Sequence, residues 1–270
     1  MDLLIKKNEQ TIYTSDYGLK LLKFRPQSVS HNHQLESIDL YDGAIRTGST
    51  FGSREIQVSF STEKSTHILL ELLKSELNAL FATKEEVTLI DSRQPGKQWR
   101  AVVNSTFDIE YINPRTGRFD LTFLSPSTYC QSVGSTLDDF TFAEDKWQAG
   151  MNIPADENLF YKHVTNRFKI YNAGVYLDPS KLPLRIIYTG ASNNLVIKNM
   201  TTGDVFAYYG TSDAGDQIIL DRINHYKNST NIFSYTNHKR ISLATGWNDF
   251  EIYGASNSFS IQFDFKFYYI

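Results

Sequence analysis

Residues 258–269 read SFSIQFDFKFYY. Phe259, Ile261, Phe263, Phe265 and Phe267 alternate with Ser258, Ser260, Gln262, Asp264 and Lys266, and side chains two positions apart share one face of a β-strand. One face must therefore be buried. Burying each such side chain contributes about 1.5–3 kcal/mol before the lost entropy is subtracted. The run predicts a strand near the centre of its sheet.

Working back from it, the chain after about residue 164 is a series of short runs: RFKIYNAG, LPLRIIYTG, NNLVIKNMTTG, DVFAYYG, DQIILDR, RISLATG and WNDFEIYG. They show no helical period and are separated by Gly, Asn and Asp, which predicts a β-sandwich. The pattern stops between Ser125-Pro126 and Gly134-Ser135-Thr136, where small polar residues take over, and this stretch is the expected linker. We expect two domains, 1–135 and 136–270.

The first half has one convincing helical period, in STEKSTHILLELLKSELNALFAT, residues 61–83. Leu69, Leu72, Leu73, Leu77, Leu80 and Phe81 recur at three- and four-residue spacing, and Ser61, Thr62 or Ser65 is the expected N-cap. Around it, Ile56-Val58-Phe60, EEVTLI, WRAVV, Phe107-Ile109-Tyr111 and Phe119-Leu121-Phe123 read as strands. The connectors SRQPGK (92–97) and NPRTG (113–117) read as hairpin loops using the fixed φ of Pro or a positive φ at Gly. The fold class is thus mainly β with one long helix: an N-terminal α+β or β-sandwich domain followed by a C-terminal β-sandwich.

Composition agrees. An aromatic share of 14% favours pleated, half-buried surfaces. A net charge of −3 offers no clustered cations to grip phosphates, which argues against nucleic-acid binding. No apolar run reaches the roughly 20 residues of a membrane span, and MDLLIKKNEQ has only a short apolar stub, so a soluble chain without a signal peptide is expected. A single cysteine, Cys130, makes no intramolecular disulfide and suits synthesis in a reducing cytoplasm.

Candidate chemistry is thin. TGSTFGSR, residues 47–54, lacks the Lys of a phosphate-binding loop and precedes a strand, so it reads as a turn. His31 and His33, at strand spacing, would supply only two of the three or four ligands a zinc ion needs, and with no further ligand evident they read as a solvated loop. His67, His163, His225 and His238 have no recognisable nucleophile partner, and no GxSxG elbow occurs. Acidic pairs such as Asp138-Asp139, Glu144-Asp145 and Asp156-Glu157 have the chemistry of glycosidase acids, but scattered surface acids are far commoner than catalytic ones. Trp99, Trp147 and Trp247 with Tyr208, Tyr209, Tyr253, Tyr268 and Tyr269 would form either a sugar-stacking platform or core and interface packing. Asp213, Asp216 and Asp221 in DAGDQIILDR do not have calcium-loop spacing. Asp213-Ala214-Gly215-Asp216 reads as a turn with Gly215 at positive φ, with Ile218 and Leu220 then on one face and Ile219 on the other. No catalytic, metal or cofactor residue is assigned.

Taken together, FGSREIQVSF (51–60), the helix ending LLKSELNALF, GKQWRAVV and IEYINPRTGRFDLTFLSPSTYC resemble the distal tail protein (Dit) family of long, non-contractile-tailed phages of Gram-positive bacteria. In the second half, NAGVYLDPSKLPLRIIYTG, NNLVIKNMTTGD, GDQIILDR and LATGWNDFEIYG resemble that family's C-terminal strand-turn units. The resemblance implies a non-enzymatic structural protein of the virion, at the distal end of the tail. It implies a homo-hexameric ring or belt formed by the N-terminal domain, with a galectin-like C-terminal sandwich projecting outward. The implied partners are the tail tube protein, the tail-associated central spike protein and the receptor-binding protein, with DNA passing through the lumen without specific binding. No cofactor or membrane is implied. The residues alone leave two other classes open: a carbohydrate-binding module on the C-terminal sandwich, and a cell-wall hydrolase.

Overall fold

The computed structural model describes residues 1–8, 10–40, 42–141 and 145–270. The chain forms two compact units, Met1–Cys130 with Ile270, and Gln131–Tyr269. It is mainly β, with one α-helix among the described residues.

In the first unit, β1 (Leu3–Lys7), β2 (Gln10–Tyr13) and β3 (Leu19–Pro26) precede an arm made of β4 (His31–Glu36) and β5 (Ile45–Phe51). Then come β6 (Arg54–Glu63), α1 (His67–Phe81), β7 (Val87–Asp91), β8 (Lys97–Val103), β9 (Glu110–Asn113) and β10 (Thr116–Ser125). The strands pair in the order β2-β1-β7-β8-β10-β6-β3, with β9 on β10. β8 turns the corner of this sheet: Leu89 of β7 pairs with Trp99, whereas Phe123 and Leu124 of β10 pair with Val103 and Val102. The alternation seen in the sequence becomes a buried face: Ile56, Val58, Phe60, Phe119, Leu121 and Phe123 are all core.

The helix is shorter than its sequence period suggests. Residues 61–63 continue β6, paired with Arg118, Gly117 and Thr116, because Ser and Thr at those positions suit a strand as well as a cap. The N-cap is Thr66, whose hydroxyl accepts from the Leu69 amide at 3.4 Å, and not Ser61, Thr62 or Ser65. The buried stripe is Leu70, Leu73, Leu77 and Phe81, while Leu69 and Leu72 point outward. Phe81 meets Phe107 and Phe123 edge-on, which seats the end of the helix on β10. The glycines of the connectors also differ from expectation, since neither Gly96 nor Gly117 has positive φ. The β9–β10 turn is held by Asn113, whose side-chain Oδ1 accepts from the Arg115 and Thr116 amides, and Gly117 makes room for the Ile109 side chain.

The segment 125–136 is not an exposed linker. Ser125, Thr128, Cys130, Ser132 and Thr136 are buried, and Cys130 opens a short strand, β11 (Cys130–Ser132). Their hydroxyls satisfy nearby carbonyls: Ser125 donates to Ser127, Thr128 to Gly52, Ser132 to Gly134 and Thr136 to Phe263. Small polar residues here close a buried path rather than dissolve it.

The second unit contains β12 (Lys162–His163), β13 (Arg167–Asn172), β14 (Leu184–Asn199), β15 (Val205–Ala207), β16 (Thr211–Ser212), β17 (Gln217–Asp221), β18 (Asn224–Lys227), β19 (Thr230–Asn231), β20 (Gly246–Phe265) and β21 (Tyr268–Tyr269). Their order is β12-β20-β14-β17-β18-β19, with β13 on β20 and with β15 and β16 on β14. Two long strands replace several expected short ones. WNDFEIYG and most of SFSIQFDFKFYY are one strand, β20, which pairs with β14 on both sides of an irregularity between Gly190 and Val196. Gly254 sits there at φ +75°. RISLATG is not a strand of its own: Leu243 makes an isolated bridge to Leu177, and Gly246 opens β20. Phe259, Ile261, Phe263, Phe265 and Phe267 are all buried, as their spacing requires.

Candidate functional site

The arm is an exposed element of the first unit. β4 and β5 pair only with each other, and no residue of either strand is buried. Their register sets His31 opposite Phe51, His33 opposite Ser49 and Leu35 opposite Arg46. Cross-strand partners point to the same side, so one face carries all six residues. The His31 and His33 rings lie 6.0 Å apart, and His31 meets Phe51 edge-on at 5.2 Å. His33 Nδ1 is 2.8 Å from the Ser49 hydroxyl. Among the described residues, no three His, Cys, Asp or Glu side chains converge as metal ligands, here or elsewhere.

TGSTFGSR runs through β5 and turns into β6 at Gly52-Ser53. Arg54, at its end, is buried. Its Nε donates to the Gln27 carbonyl at 2.8 Å, and its guanidinium lies 4.7 Å from the centre of the Trp99 ring. Burial pushes this guanidinium below its ordinary pKa. The structural role of Arg54 is not visible in the local sequence, because its carbonyl partners, Gln27 and Thr128, are distant in the chain.

The other histidines lie in separate places. His67 opens α1 beside Tyr111. His163 stacks on Phe168 at 4.4 Å, and its burial lowers its pKa. His225 is enclosed between Phe206 and Phe233, and His238 packs against Phe233 as well. Of the acidic pairs, Glu144 lies outside the described residues. Asp138 is held low by the Ser135 amide and by Lys146. Asp138, Asp139 and Glu157 line one groove of the second unit, about 940 Å³ in volume, beside Phe140, Trp147 and Tyr161.

The aromatic candidates do not form one platform. Trp99 is buried under Arg54, and Trp147 is buried with its indole N–H on the Asp139 carbonyl. Trp247 is half-buried against Tyr171, Tyr208 and Tyr268 are core, and Tyr269 donates to the Met151 carbonyl. Only Tyr209 and Tyr253 of the group are largely exposed.

DAGDQIILDR is a turn entering β17. The Asp216 amide donates to the Asp213 carbonyl at 3.0 Å, and the Asp213 amide returns a bond to the Asp216 carboxylate at 2.9 Å. Lys227 and Asn228 also donate to that carboxylate. These donors, the Asp213 amide foremost, hold Asp216 well below the usual carboxylate range. Gly215 does not have positive φ, so the turn needs no left-handed residue. Ile218, Ile219 and Leu220 are all buried, which means both faces of β17 are covered.

Residues 12–125 match the family described as phage tail protein RIFT-related domain. No curated protein matches the chain in sequence. Among solved structures, the chain is similar to the SPP1 Dit protein (gp 19.1), described as a paradigm of hub adsorption apparatus in Gram-positive infecting phages. That likeness has a TM-score of 0.68 at 12% identity and covers 98% of this chain and 99% of the other. Chains of the phage p2 baseplate in its activated conformation also match, with Sr at 11% identity and with Ca at 13%. Each has a TM-score of 0.44 and covers 98% of this chain and 97% of the other. Residues 12–125 are thus similar to a phage tail protein RIFT-related domain, and the whole chain shares the fold of SPP1 Dit.

Proposed function

We propose that this protein is a structural hub at the distal end of a phage tail, carried in the virion. It assembles as a homo-hexameric ring, joins the tail tube to the tail-associated central spike protein and anchors receptor-binding proteins. The first unit forms the ring and the second, a galectin-like sandwich, projects from it. The observation that carries this reading is the fold shared with SPP1 Dit over nearly the whole of both chains, supported by the tail-family match of residues 12–125. An arm whose apolar residues find no cover within its own chain supports self-assembly.

Light scattering on the purified protein tests it. A hexamer of the 30.9 kDa chain has a mass of about 185 kDa, and a monomer at all concentrations overturns the ring. DNA passes through the lumen without specific binding. A chain with net charge −3 is accordingly expected not to retard duplex DNA at physiological salt.

A second reading, a carbohydrate-binding role, is favoured by the groove where Asp139, Glu157 and Asn158 rim an aromatic wall of Phe140, Trp147 and Tyr161. Retention of the monomer on purified cell-wall polysaccharide would support it over the ring.

A further inference from the structure

We infer that the arm of one copy docks on the outer face of α1 of the next copy. The inference rests on the self-assembly proposed above and names the two surfaces that meet.

The first surface is on the helix. α1 buries Leu70, Leu73, Leu77 and Phe81. At 100° per residue the line opposite that stripe runs through Ile68, Leu72, Ser75 and Ala79. An amphipathic helix that packs one face on a sheet carries charged and polar residues there. Instead Ile68 is 72% exposed and Leu72 56%. Tyr111 of β9 extends the strip, since its hydroxyl donates to Glu71. Glu71 and Glu76 flank it, so the surface is apolar with an acidic border.

The second surface is the arm. A two-stranded ribbon is marginal in water unless its side chains pack on something. Among the described residues nothing covers the face bearing His31, His33, Leu35, Arg46 and Phe51, with Leu35 62% exposed. It is apolar with a basic border at Arg46.

The two surfaces are complementary in charge and alike in apolar character, and both are exposed in the same chain. Arm against arm would oppose Arg46 to itself, and helix against helix would oppose glutamates, so the pairing is arm to helix. Such a head-to-tail contact is heterologous and repeats around a closed ring.

Complementation tests this, with Leu35→Asp to spoil the arm and Leu72→Asp to spoil the helix face. Both positions are exposed, so neither change enters the core. By light scattering, each variant alone is expected to lose the wild-type assembly. An equimolar mixture at high concentration is expected to form a two-chain species, because the intact arm of Leu72→Asp meets the intact helix of Leu35→Asp. Arg46→Glu is expected to weaken assembly, and Glu76→Arg added to it to restore part of the loss. Assembly of both aspartate variants like the wild type, or a mixture that stays monomeric, overturns the arm-to-helix contact and leaves the hub reading standing. A wild-type protein that never assembles overturns both.

Discussion

The His225 ring donates from Nδ1 to the Thr236 hydroxyl at 3.1 Å, and that hydroxyl donates onward to the Phe233 carbonyl at 2.8 Å. Thr236 therefore accepts from His225, which fixes the tautomer with its proton on Nδ1. Nε2 is buried without a protein partner. Protonating it would place an uncompensated charge between Phe206 and Phe233.

Acid sensitivity follows from this arrangement. Burial first, and His238 second, push the His225 pKa down from 6.5 to about 4. Between those values the unfolded chain binds a proton that the folded chain refuses, so stability falls as pH drops from about 6.5 to about 4 and is unaffected above. The full difference is about 3 kcal/mol. His225→Phe is expected to flatten this part of the profile. Urea midpoints at pH 7 and pH 5 check it, and a wild-type drop no larger than that of the variant rules it out.

Asn199 is the hub of a second buried network. Its Nδ2 donates to the Ser242 carbonyl at 2.8 Å and to Asn248 Oδ1 at 3.1 Å, while its Oδ1 accepts from the Thr201 amide at 3.0 Å. Asn199→Ala strands several buried groups at once and is expected to lower stability by about 2–5 kcal/mol. Thermal unfolding measures this, and an unchanged midpoint would contradict the network's role. Asn199-Met200-Thr201 also matches the Asn-X-Thr pattern of N-glycosylation, and the same burial puts its Asn199 side chain out of reach in the folded chain.

Gly254 and Gly215 should respond in opposite ways to alanine. At Gly254, φ is +75° and an added Cβ would lie 2.5 Å from the Asn193 carbonyl oxygen, a backbone atom of the paired strand. Gly254→Ala is expected to destabilise by about 2–4 kcal/mol. At Gly215 nothing lies within 4 Å, so Gly215→Ala is expected to be neutral or to stabilise by about 0.5 kcal/mol. Paired denaturation curves decide it. Equal effects at the two sites would refute the argument.

How far the sequence could be read depends on the range of the forces involved. The burial of Phe259 through Phe267 was legible because a period of two is local. The continuity of β20 was not, since Gly254 marks a bulge in a long strand and a turn between short ones with the same letter. The helix interior was legible, but its start was not, because Ser61 and Thr62 serve a strand or a cap equally. For the proposed assembly surface, Leu72 and Leu69 were read as core from their spacing. Only the packing shows that the helix turns Leu70 inward instead.

Arg54 gives the last prediction. It is buried in the first unit with its guanidinium over Trp99, and it donates to the carbonyls of Gln27 and Thr128 at 2.8 and 3.4 Å. One planar, delocalised cation thus joins the chain after β3, the start of β6 and the chain after β10. A lysine ammonium cannot stack flat on the indole while reaching two separated carbonyls. Arg54→Lys is therefore expected to lose about 1–3 kcal/mol despite keeping the charge. Arg54→Ala is expected to lose more, since it also leaves a void over the Trp99 ring. Tryptophan fluorescence during unfolding follows the site when Trp147 and Trp247 are replaced by Phe in both wild type and variant, leaving Trp99 as the reporter. If Arg54→Lys unfolds at the wild-type midpoint, the planar stacking is not what holds these three segments together.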